Sequence, residues 1–112
     1  MRLLTVDDVC RLLHKITLKK FFELCLLRLE ENFTRWEDFE NKTTTVAYFP
    51  ALPGQIQSAL ISGSGYYALK CLPDYPYNFQ VHKHNAAGFG ALVDLKSGYP
   101  VLLSEMTLLN AL

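Results

Sequence analysis

The chain predicts an α+β fold, with helices in its first part packed on one face of a mostly antiparallel sheet formed by the rest. Three observations carry this. Up to about residue 40, apolar side chains recur at steps of three and four, the period of a helix face. From Thr43 onward the pattern changes to short β-branched and aromatic runs separated by turn residues. The gaps between those runs are too short for the crossovers that parallel pairing needs. All 112 residues fit a single domain, helical over 1–40 and strand-rich over 43–112.

The elements follow in order. Thr5 with Asp8 three residues on, ahead of "VCRLLHK", is the signature of a capped short helix. A longer helix is expected from Thr17 or Leu18 to about Phe39. Leu18, Phe22, Cys25, Leu29, Phe33 and Trp36 form its apolar stripe, and Lys19, Lys20, Glu23, Glu30, Glu31 and Glu37 form its solvated side. Phe21, Leu24 and Leu27 widen the stripe, so the helix is either buried over more than half its circumference or touches a partner. "TTTVAYF", "QIQSALI", "YYALKCL", "AAGFGALVDL" and "YPVLLSEM" read as four or five strands. "LPG", "SGSG" and "KSG" mark turns between them. Neither an internal repeat nor a low-complexity tract is visible.

Composition narrows the function classes. Eleven basic and eleven acidic residues balance, which leaves no electrostatic footprint for nucleic acid or an anionic membrane. Every apolar run is too short or too interrupted by charge to span a bilayer. Asp7 and Asp8 interrupt the N-terminal stretch before a secretory signal can develop. Cys10, Cys25 and Cys71 are an odd number without CxxC spacing, which points to free thiols in a reducing compartment and a cytoplasmic location. His82 and His84 lie one residue apart with no carboxylate cluster nearby, so no metal site is expected. A nucleophile–base pair for independent chemistry is also lacking.

Chemistry concentrates around "YYALKCLPDYPYN", residues 66–78. Lys70 lies near the end of an alternating strand, just before a turn stiffened by Pro73 and Pro76. Two readings stand: a lysine on a solvated face, or an ammonium aimed into a concave anion site with the Pro76–Asn78 turn as one wall. Cys71 beside it is either a thiol of lowered pKa or a small buried hydrophobe. Asp94 precedes a turn and is expected to cap it, and Glu105 has no visible partner.

"FTRWEDF", "YYALK", the Pro76-x-Asn78 step and "GFGALVDLKSGYPVLLSEMTLLNAL", in this order, resemble the N-terminal lobe of the ornithine cyclodeaminase and mu-crystallin family, from about Thr17 to the last residue. The resemblance implies a lobe that binds substrate and forms a homodimer through its sheet. A separate Rossmann domain holds NAD in that family, and ornithine is converted to proline and ammonia by hydride transfer out and back. It assigns the substrate carboxylate to Lys70. It also places Thr45 where the family carries a carboxylate-binding Arg, Gln57 where a Glu holds the substrate's distal ammonium, and Asn85 where a Thr contacts the cofactor. Thr45 lacks the guanidinium fork and Gln57 brings no charge, a loss of two charge-assisted contacts. Gly88 and Gly90 do not form a dinucleotide fingerprint, because the third glycine and the following helix are missing.

Two classes of function remain. One is an ornithine cyclodeaminase-like substrate lobe, inactive alone and without a cofactor of its own. The other is a stand-alone, non-catalytic dimerisation or small-anion-binding module. In both, a homodimer is expected, because half the residues are apolar and a chain this small buries only about two-thirds of its unfolded surface alone. The candidate ligand is a small amino acid or carboxylate.

Overall fold

In a computed structural model, residues 1–41 and 44–112 are described; Thr43, the expected onset of the strand-rich part, lies outside them. The chain runs β1 (Arg2–Leu4), α1 (Val6–Ile16), α2 (Leu18–Thr34), a 3₁₀ turn (Trp36–Asp38), β2 (Glu40–Tyr48), β3 (Gln55–Gly63), β4 (Tyr66–Asp74), a second 3₁₀ turn (Asn78–Val81), β5 (Phe89–Asp94), β6 (Pro100–Glu105) and α3 (Thr107–Ala111). Helices and a mostly antiparallel sheet make this the α+β fold expected. The sheet has six strands in the order β1-β6-β5-β4-β3-β2. β1 was not foreseen: it is three residues long and pairs in parallel with β6, Leu4 opposite Ser104.

Local chemistry explains most boundaries. The Thr5 hydroxyl accepts the Asp8 N–H at 3.2 Å, and the Asp8 carboxylate accepts the Thr5 N–H at 3.0 Å, closing a capping box on α1. Thr17 ends α1 and begins α2 in one residue, at φ +68°, with its hydroxyl accepting the Lys20 N–H. α2 stops at Thr34 rather than continuing to Phe39. The Thr34 hydroxyl donates back to the Glu31 carbonyl at 2.6 Å, and Arg35 leaves helical geometry at φ −119°. Such back-bonding competes with helix continuation, and the chain tightens into the 3₁₀ turn instead.

The hairpin between β3 and β4 turns on Ser64 and Gly65, both with positive φ, as a tight two-residue connection requires. Between β5 and β6 the Asp94 carboxylate accepts the Ser97 N–H at 2.9 Å and the Ser97 hydroxyl, and Gly98 takes φ +71°. These hydrogen bonds, the Ser97 hydroxyl first, hold the Asp94 carboxyl below its ordinary pKa. Asp94 thus caps its turn as the sequence suggests.

Packing divides the molecule. α1 contacts β1, α2 and α3, and its Val9 is the buried apolar side chain among the described residues. α2 has no buried residue: Leu29 is 52% exposed, Phe33 64% and Trp36 53%. Burial of the α2 stripe by the chain itself, one of the two expectations, is therefore not what the fold does. Phe33 and Trp36 instead stack on each other, with ring centroids 5.5 Å apart.

The accessible surface is 8540 Å², against roughly 6,300 Å² for a compact monomer of this mass. The radius of gyration is 15.9 Å, against about 13 Å for a self-contained domain of this length. The excess area, roughly 2,200 Å², is surface that the chain does not cover by itself.

Candidate anion-binding site

The sheet places one row of residues across four strands around Lys70. Ala59 on β3 faces Lys70 on β4, which faces Gly90 on β5, which faces Ser104 on β6. Directly paired residues share a face of the sheet, so the lysine stem is flanked by a methyl group on one side and no side chain on the other. This row lines a concavity of about 590 Å³, with Leu4, Met106 and Leu109 among its apolar lining. Lys70 is half-buried. Its ammonium donates to the Asn110 Oδ1 on α3 at 3.1 Å. Neutral Asn110 leaves the charge uncompensated, and none of the ion pairs among the described residues involves Lys70.

α3 reaches this position because β5 and β6 hold it. The Glu105 carboxylate accepts the Leu108 and Leu109 N–H groups, at 2.9 and 3.3 Å, capping the helix. The Gly88 N–H donates to the Thr107 hydroxyl at 3.1 Å, and the Met106 N–H donates to the Gly88 carbonyl at 2.8 Å. A Cβ on Gly90 would stand 3.1 Å from the Met106 Cγ. The absent side chain at Gly90 therefore lets Met106 close over the sheet.

The other residues singled out in the sequence are dispersed. Gln57 pairs with Leu72, two positions along from the Ala59–Lys70 pair, and so lies on the Lys70 face. Thr45 pairs with Ser58, in the row that continues to Cys71, Phe89 and Glu105 on the opposite face. The β2–β3 register shifts just before Thr45, and it is Thr44 that lines the cavity. The Pro76–Asn78 turn is not part of the cavity wall; the rim beside Lys70 comes from α3. Asn85 lies in the exposed loop after the second 3₁₀ turn, where its side-chain oxygen accepts the Phe79 N–H at 3.1 Å and its carbonyl accepts the Tyr75 N–H at 2.7 Å. His82 caps that turn in a left-handed conformation, and the His84 carbonyl accepts from the Asn78 amide at 3.0 Å.

Thr44, Ser104 and Asn110 went unnoticed in the sequence. For Thr44 the obstacle is the bulge, which reverses the inward–outward alternation. For Asn110 it is length, because a five-residue helix shows no period.

A sequence profile of the Ornithine cyclodeaminase/mu-crystallin family matches residues 6–112. The chain belongs to this family. It is 31% identical over 109 residues to an ornithine cyclodeaminase of Agrobacterium tumefaciens and 34% identical over 108 residues to one of Brucella abortus. The matches cover 97% and 96% of this chain but 30% of each relative. The chain thus spans about 30% of the length of these curated relatives.

Among solved structures, the fold is shared with Thermococcus litoralis Δ1-pyrroline-2-carboxylate reductase in complex with NADH and L-proline. That match has a TM-score of 0.81 and 24% identity, over 99% of this chain and 33% of that one. A lysine cyclodeaminase structure superposes with a TM-score of 0.83 at 19% identity, over 97% of this chain and 33% of that one. These likenesses place the family member's fold with the N-terminal regions of such enzymes.

Proposed function

We propose that the chain is the substrate-side, dimer-forming lobe of an ornithine cyclodeaminase-like enzyme, in which Lys70 receives the carboxylate of a small amino acid. The observation that carries this is Lys70, a half-buried residue lining a cavity among small side chains, whose ammonium is paired with a neutral amide and with no carboxylate among the described residues. A carboxylate there would meet an ammonium without a competing counter-charge, and the bond between them would be charge-assisted. Thr44 and Gln57, on the same face, add neutral polar groups and no second charge. As a polypeptide of these 112 residues, the lobe is expected to bind neither NAD nor to turn over ornithine, since hydride transfer needs an acceptor and Lys70 supplies only binding.

The dimer half of the proposal is supported by the uncovered surface. An excess of roughly 2,200 Å² per chain is of the order that an obligate dimer interface removes. In this reading the sheet pairs with that of a second copy, in keeping with a reducing, cytoplasmic setting for the three free thiols.

Titration calorimetry tests the site. L-ornithine is expected to bind the chain and to lose its affinity in Lys70→Met, while NAD gives no saturable heat. Equal binding by Lys70→Met removes Lys70 from the site, and micromolar NAD affinity removes the claim that the lobe is inert toward cofactor. Light scattering over a concentration series tests the dimer, which a constant monomer mass would refute.

A further inference from the structure

Lys70 has few neighbours able to fix its ammonium. Ala59 and Gly90, opposite it on the two adjoining strands, offer no side-chain acceptor. The Ser104 hydroxyl donates to the Glu105 carbonyl at 2.9 Å. Both oxygens of Glu105 accept α3 N–H groups, and its strand register puts it in the row of the opposite face. The bond that remains joins Lys70 to Asn110, forty positions along the chain, on a helix tied through Thr107 and Met106 to Gly88, the residue just before β5.

We infer that Asn110 is a positioning residue for the Lys70 site: its amide oxygen holds the ammonium over the cavity without neutralising it. The inference rests on the reading that Lys70 receives a carboxylate. A free lysine side chain is rotamer-rich and loses that freedom on binding. The Asn110 acceptor removes part of the loss in advance, which is preorganisation of a charge. The choice of an amide matters as much as its place. It takes one of the three ammonium donors and leaves two for an incoming carboxylate. An aspartate of the same shape would pair with the ammonium itself and compete with the ligand.

The test is an L-ornithine titration of the 112-residue chain, followed by the NMR signals of the Lys70 Cε and Nζ, with Asn110→Ala and Asn110→Asp as variants. The backbone amide of Gly88, which donates to Thr107, reports on whether α3 stays seated. Asn110→Ala is expected to weaken binding about three- to tenfold, the scale of one hydrogen bond. Asn110→Asp is expected to weaken it by more than about tenfold, with the Gly88 amide unmoved in both. Unchanged affinity in either variant overturns the inference. So does weakened binding that comes with a shifted Gly88 amide, which would make Asn110 a structural prop for α3. A distinct result, no L-ornithine binding by the unaltered chain or equal binding by Lys70→Met, shows that the carboxylate reading itself has failed, and the inference falls with it.

Discussion

Helix α2 and strand β4 both carry dense apolar sequence, yet they dispose of it differently. Seven of the nine β4 residues are half-buried, from Tyr67 to Pro73, whereas in the 17-residue α2 only Phe21, Cys25 and Asn32 are. A strand in mid-sheet acquires neighbours on two sides through its backbone ladder, so some cover comes with the topology. A helix satisfies its own backbone and must find apolar cover from another layer. In this chain β4 is covered by β3 and β5, and α2 meets α1 alone among its more extensive contacts. Apolar periodicity therefore identifies a face without identifying what will cover it.

The largest effect is expected where backbone and side chains leave no room. A Cβ on Gly88 would stand 2.8 Å from the Cys71 carbonyl and 2.4 Å from a Leu72 methyl. Gly88→Ala should cost about 1–3 kcal/mol in urea unfolding and release α3 along with Asn110. A loss below 0.5 kcal/mol, the usual scatter of surface changes, would mean that the sheet side is no tighter than α2.

Thr5→Ala removes the α1 capping box and should cost about 1 kcal/mol by the same measurement. On α2, Leu26 is 62% exposed, and Leu26→Ala should change monomer stability by less than about 0.5 kcal/mol. The comparison sharpens if the loss in Leu29→Ala grows with protein concentration, because a partner would then be covering that face. A large, concentration-independent loss at Leu26 would break the comparison outright.

The smallest effect is on acid stability. Asp8 is held below its ordinary pKa of 3.8 by the Thr5 hydrogen bonds first, and Asp94 by Ser97. Carboxyls with depressed folded pKa values stabilise above the unfolded value and lose that contribution as pH falls through the folded one. Both groups are exposed, so a modest decline confined to pH below about 3.8 is expected. Asp94→Asn should remove the part belonging to the β5–β6 turn, readable as a smaller acid loss in urea unfolding.

How far the sequence speaks follows from the range of each interaction. The Thr5 cap, the Ser64–Gly65 turn and the Asp94 turn depend on residues within four positions of each other, and all three are legible. β1 is not, because three residues show no alternation and its partner lies about a hundred positions away. Within the site, Lys70 was marked by its place in the strand and by the family resemblance. Its surroundings were not, since Gly90 and Ser104 become its neighbours only through the register of three strands, and the bulge before Thr45 moves Thr44 to the cavity. The end of α2 at Thr34 turned on one hydroxyl donating to a carbonyl three residues back.

The parallel pairing of Arg2–Leu4 with Leu102–Ser104 has a consequence for the order of assembly. A ribosome delivers β1 about a hundred residues ahead of its partner, so β1 waits unpaired while β2 to β5 are made. Closing a loop of that length is entropically dear and slow compared with forming the adjacent hairpins. The antiparallel meander from β2 to β6 can assemble as it emerges, whereas the seating of β1, and of α1 beside it, must wait for β6. Until then the outer edge of β6 offers free N–H and C=O groups, the usual invitation to the wrong strand.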